Sequence, residues 1–137
     1  MISQKEYLLS SERLWYSIEE HFGTSGGVYV LYCKKDAIKP VNRLLGPDEN
    51  GVLYIGMAKS FLDRTIELKK SISPDYISAN HECGTRFKSN ERIREKFPYE
   101  DLCLKLIASY EPRVLEQELL TGYILEFGEL PPLNRVG

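Results

Sequence analysis

The stretch Gly27-Val28-Tyr29-Val30-Leu31-Tyr32-Cys33, set against Val52-Leu53-Tyr54-Ile55-Gly56 further along, decides the fold. Both runs are rich in β-branched and aromatic residues, so they read as strands over 28–33 and 52–55. A Tyr close to a Gly begins the first run and ends the second. In an antiparallel hairpin the start of one strand lies beside the end of its neighbour, which would bring Tyr29 and Tyr54 to one edge of the sheet. Gly27 and Gly56 would let a backbone or a ligand approach there.

The connection between the runs, Lys34 to Gly51, is polar and carries Pro40, Gly46-Pro47 and Asp48-Glu49-Asn50-Gly51; it reads as a long loop ending in a tight Asn-Gly turn. Upstream, Leu14, Ile18 and Phe22 recur every four residues and predict a first helix over about 11–22, stopped by Gly23-Thr24-Ser25-Gly26-Gly27. Downstream, Ser60 with Asp63 three residues on has the form of a capping box, opening a helix that runs to about Lys70. Residues 71–87, with Pro74, His81 and Gly84, read as a loop, and Ser89–Lys96 as a helix ended by Pro98. Leu102–Ala108 is the most apolar strand. Pro112 and Gly128 bracket the clearest helix, and Pro131-Pro132 prevents its continuation. The predicted class is α/β: a small three-stranded, mainly antiparallel sheet flanked by helices, in one domain over residues 1–137.

Composition narrows the function classes. No run of apolar residues is long enough for a membrane span, and the N-terminal Met1-Ile2-Ser3-Gln4-Lys5-Glu6 lacks the apolar stretch of a secretory signal, so the expected location is the cytoplasm, with no membrane partner. Cys33, Cys83 and Cys103 form no CxxC pair and are expected as reduced thiols, two of them buried. The net charge of −2 weighs against strong intrinsic affinity for a polyanion. Basic residues nevertheless cluster at Lys34, Lys35, Lys39 and Arg43, at Lys69 and Lys70, and at Arg86, Lys88, Arg92, Arg94 and Lys96. Such a run is often only a solvated surface.

Two further residues strengthen the paired tyrosines. Arg64 lies one turn into the helix after Gly56, where a guanidinium near the phenols suits phosphate binding; the plain alternative is an ion pair with Glu67 or Asp63. Glu116 shares one helix face with Leu119, Leu120, Tyr123 and Phe127, and a carboxylate on an apolar stripe is costly unless paired or bound to metal. Glu118 points elsewhere and is expected in solvent. No Ser-His-Asp order, P-loop or HExxH is present.

Together these motifs resemble the GIY-YIG nuclease superfamily. Gly27-Val28-Tyr29 matches its first signature with Val for Ile, and Tyr54-Ile55-Gly56 matches its second. Arg64, Glu116-Gln117-Glu118-Leu119-Leu120, Pro131-Pro132-Leu133-Asn134 and the loop histidine His81 resemble its remaining elements in the same order. The resemblance implies hydrolysis of DNA phosphodiesters with one divalent ion, Mg²⁺ (or Mn²⁺), held by Glu116. It implies Tyr29 as general base aided by Tyr54, Arg64 on the phosphate, and His81 assisting proton transfer or contacting phosphate. DNA would meet Lys34, Lys35, Lys69, Arg86, Lys88 and Asn134, the last more as an orienting group. Leu68 departs from the pattern, since many members carry His or Tyr there. No appended recognition domain is expected, so specificity would come from loops, a protein partner or a homodimer. The alternative is a non-catalytic DNA- or protein-binding module on the same scaffold.

Overall fold

The computed structural model describes residues 3–33, 40–76 and 82–134. Elements follow in the order β1 (Gln4–Leu8), α1 (Leu14–Phe22), β2 (Gly27–Cys33), β3 (Val41–Asn42), β4 (Pro47–Asp48), β5 (Tyr54–Ala58), α2 (Phe61–Ile72), α3 (Glu82–Ser89), α4 (Glu91–Lys96), β6 (Leu102–Ala108) and α5 (Pro112–Phe127). Among the described residues, no helix is long and apolar enough to cross a membrane.

β2 is the centre of the sheet. It pairs antiparallel with β5 on one side and β6 on the other, so the expected hairpin forms, with Tyr29 opposite Gly56. The sheet has four strands, ordered β1-β6-β2-β5, where three were expected. The extra strand was hidden because Gln4-Lys5-Glu6 shows no apolar alternation. It is an edge strand with its first three residues exposed, and polar side chains protect such an edge from further pairing. Strand alternation sends Tyr29, Leu31 and Cys33 into the main core beneath α1 and α2, with Leu104 and Leu106 of β6 beside them. Val28 and Ile55 enter a smaller core against Tyr123 of α5.

Three other expectations are corrected. The first helix begins at Leu14, after a turn in which the Leu14 amide bonds the Ser11 carbonyl (3.2 Å). The strand expected over 52–55 is displaced to Tyr54–Ala58. Much of the expected 71–87 loop is helix α3, so the helix expected from Ser89 starts only at Glu91, capped by the Asn90 side chain. Gly84 is the reason a breaker sits inside α3: a Cβ there would lie 2.1 Å from the Ser71 Cβ, so the glycine permits close contact with α2. By contrast, Ser60 caps α2 by accepting from the Asp63 amide (3.3 Å), and α5 spans the residues between Pro112 and Gly128, as expected.

The long connection is not irregular throughout. β3 and β4 form a small ribbon fixed by Asp48, which is almost fully buried. Its carboxylate accepts from the Asn50, Gly51 and Val52 amides (3.0–3.1 Å) and from the Tyr123 hydroxyl of α5 (2.7 Å). Arg43 completes the group, with its Nη2 3.4 Å from Asp48 and 2.9 Å from the Val52 carbonyl. A buried ion pair is costly to form, but removing one partner strands the other. Asp48→Ala should therefore lower stability by about 3–5 kcal/mol in urea unfolding, and Asp48→Asn, which keeps an acceptor, by less.

Candidate active site

Gly56 is where the two signature strands and their tyrosines meet. A Cβ at Gly56 would lie 2.5 Å from the Tyr54 ring and 2.9 Å from the Tyr29 hydroxyl, so both aromatic side chains use the space that glycine leaves. The two rings stand 5.8 Å apart, tilted by 41°. Tyr29 is 1% exposed and Tyr54 half-buried, so one phenol is sealed and the other opens toward solvent.

Arg64 reaches this pair from the first turn of α2. Its guanidinium lies close enough to the Tyr29 phenol for the two to influence each other's ionisation, and through Nη1 it is hydrogen-bonded to Glu67 at 2.8 Å. Both expected partners, phenol and acid, are thus engaged at once. The Glu67 tie is partly exposed and so contributes little, about 0–1 kcal/mol. A phosphate could displace it without disturbing the buried end.

Burial raises the Tyr29 pKa well above the ordinary phenol value, and the neighbouring Tyr54 raises it further; Arg64 opposes both without reversing the direction. Tyr54 is raised for the same first reason, although a hydrogen bond with Tyr29 pulls it back. Cys83 lies close to both phenols, buried, with its thiol pushed up to about 12 by desolvation. All three groups are therefore neutral at neutral pH. The cysteines fit the expectation of free thiols, with Cys33 and Cys83 buried and Cys103 partly so.

Glu116 approaches from α5, which packs on β5 from the other side of the sheet. Its carboxylate is half-buried, and its pKa is raised by desolvation, against which the nearby Arg113 acts. Its charge is felt at the Tyr54 phenol. Among the described residues Glu116 makes no hydrogen bond or ion pair, so its lone pairs are available. Glu118 is exposed, as expected. A half-buried, unpaired carboxylate fits Mg²⁺, which retains waters and needs few protein ligands. No group of three or more metal-ligating side chains occurs among the described residues, so any ion here would rest on Glu116, water and substrate.

The other candidate residues separate clearly. Leu68, the departure from the resembled pattern, is fully buried in the core. Asn134 does orient: its Oδ1 accepts from the Ile55 amide (3.0 Å) and its Nδ2 donates to the Ile55 carbonyl (2.8 Å), closing the free edge of β5. Of the DNA-contact candidates, Lys69 donates to the Ser11 carbonyl (2.9 Å) and lies over Trp15, and Lys88 donates to the Ser73 and Tyr76 carbonyls. Arg86 donates to the Leu133 carbonyl. These three cations are struts tying helices and loops together. Lys34, Lys35 and His81 lie outside the described residues.

The sequence reading missed Cys83 as a neighbour of the tyrosines, because a lone Cys gives no positional signal. It placed Arg43 in a basic surface stretch, whereas Arg43 belongs to the buried Asp48 group. Asp48-Glu49-Asn50-Gly51 was a sufficient hint, since Asp accepts readily from amides two to four residues on.

Comparison with family models, with curated proteins and with solved structures finds no match for this chain.

Gly56→Ala should force both phenols aside and destabilise the protein by about 1–3 kcal/mol, the usual range for overpacking. Thermal unfolding measures the loss, and near-UV circular dichroism should show the changed tyrosine environment.

Proposed function

We propose that this protein is a divalent-metal-dependent endodeoxyribonuclease of the GIY-YIG kind. The observation that carries this reading is the cluster itself: Tyr29 and Tyr54 packed over Gly56, the Arg64 guanidinium near Tyr29, and the carboxylate of Glu116 within electrostatic range of Tyr54. That combination supplies a phosphate anchor, a proton acceptor and a metal ligand in one place.

Arg64 binds the scissile phosphate by exchanging its exposed Glu67 partner for phosphate oxygens, and it stabilises the charge that grows on phosphorus. Glu116 would hold the metal, which would supply Lewis-acid stabilisation of the leaving oxygen. Tyr29, sealed from solvent, takes the proton of the attacking water by way of the half-open Tyr54 phenol, and must ionise to do so. Its raised pKa makes the ionised fraction small at neutral pH, so activity through this route grows as pH increases. Tyr54, bonded to Tyr29 and partly open to solvent, offers that proton a way out. Glu116 works in the opposite sense. Protons compete with the metal for a carboxylate of raised pKa, so metal binding is lost at a higher pH than for an ordinary glutamate.

A second reading, a binding module without turnover, is favoured by one observation: Lys69, Arg86 and Lys88 are committed to backbone carbonyls. It predicts that binding persists in Glu116→Gln while no cleavage exists to lose.

The test is cleavage of duplex, branched and single-stranded DNA with Mg²⁺ or Mn²⁺. Arg64→Ala and Glu116→Gln should each lower the rate by about 10² or more. The wild-type rate should rise from neutral to alkaline pH without levelling below about pH 10, the ordinary phenol value, and Tyr29→Phe should abolish that rise. Absence of metal-dependent cleavage on all three forms would refute the nuclease reading.

A further inference from the structure

α5 leaves much of the second sheet face uncovered. Among the described residues Val28, Ile55, Ile107 and Tyr123 are buried there, while Val30, Val52, Leu119 and Phe127 are only partly so. Beside them opens a hollow of about 600 Å³, its floor formed by Val30, Val52 and Ile107 and its wall by Leu119 and Phe127 of α5. Glu118 and Glu126 stand exposed along its lip, with Glu6 on the far side. The cation that lines it, Lys105, lies opposite Glu6 in the β1–β6 register, which offsets its charge. The hollow is thus an apolar floor inside an acidic rim.

A second, mostly apolar hollow lies on the other flank of α5, against Val114, Thr121 and Leu125. Glu118 and Gly122 line both. Glu118, Gly122 and Glu126 follow one another every four residues, so they form one ridge between the hollows. Gly122 makes a notch in that ridge: nothing lies within 4 Å of where its Cβ would be. Glycine in mid-helix loses more backbone entropy on folding than alanine would, and no contact among the described residues requires it there. Leu125 is 76% and Val114 51% exposed, a large amount of apolar surface to leave in water on one helix.

We infer that this face, turned away from the tyrosine cluster, is a docking groove for a basic amphipathic helix of another protein, which lays its apolar side into the hollow and crosses α5 at the Gly122 notch. The acidic rim selects the sign of the partner's flanking charges, and it repels nucleic acid and anionic lipid. A second copy of this chain is a poor occupant. Its basic helix α4 has six residues and carries Glu91 and Glu95 between Arg92, Arg94 and Lys96. The inference does not rest on the nuclease reading, because none of its residues is Tyr29, Tyr54, Arg64 or Glu116 and its test involves no cleavage.

The test titrates the isotope-labelled full chain with a synthetic helical peptide of about 18 residues, five turns, with Leu along one face and Lys elsewhere. Controls are the same peptide with Glu for Lys, and a version with the Leu positions scrambled. The basic peptide should shift the amide resonances of Val30, Gly122 and Phe127. Its affinity should fall tenfold or more in the double variant Glu118→Lys, Glu126→Lys, and fall as NaCl rises from about 0.05 to about 0.5 M. Gly122→Ala should raise the melting temperature yet weaken the peptide, a pairing that a merely structural role for Gly122 would not give. Equal binding of the acidic or scrambled peptide, shifts centred elsewhere, undiminished binding by the charge-reversed variant, self-association through this face, or a DNA duplex shifting the same resonances would each overturn the inference.

Discussion

A buried phenol needs space opposite it, and the space for Tyr29 exists because residue 56 has no side chain. The β2–β5 register sets Tyr29 across from Gly56, and β-strand alternation then places Tyr54, two residues earlier, on the same face. Arg64 follows from the same constraint. α2 begins a few residues after Gly56, under a Ser60 cap, so its first turn faces the phenols. Slipping β2 by one residue would turn Tyr29 to the α5 side, away from Tyr54 and Arg64. The remaining elements keep that register in place: Asn134 closes the outer edge of β5, and Asp48 links the β3–β4 ribbon to α5 and so fixes the helix that carries Glu116.

Electrostatically the protein separates two uses of charge. Cations that looked available for a polyanion, Lys69, Arg86 and Lys88, satisfy backbone carbonyls and join helices. At the tyrosine cluster, the phenols and the thiol are held neutral by burial, while Arg64 and Glu116 keep one side open to a ligand. On the proposed nuclease reading, the described candidate cations would supply little non-specific affinity for DNA.

Much of the fold was legible because local signals agreed. Pro112 and Gly128 marked α5, Ser60 marked α2, and the apolar run marked β6. What escaped notice depended on contacts distant in sequence. β1 is polar and becomes a strand only because β6 offers an edge. Gly84 resembles a breaker until Ser71 of α2 is seen against it. For the cluster, spacing correctly joined Tyr29, Tyr54 and Arg64, and helix periodicity gave Glu116 its partly apolar setting. The charge clusters could not reveal the carbonyl contacts of Lys69, Arg86 and Lys88, because sequence shows where a Lys or Arg lies in the chain and not which carbonyl it reaches.

On the proposed reading, Glu116 would hold a metal ion near the Tyr54 phenol. Paramagnetic broadening by Mn²⁺ of protein labelled at its nine tyrosines tests it directly. The account predicts saturable broadening of the Tyr54 and Tyr29 signals before those of the other tyrosines, and its loss in Glu116→Gln. Broadening centred on other tyrosines, or unchanged in Glu116→Gln, would contradict it.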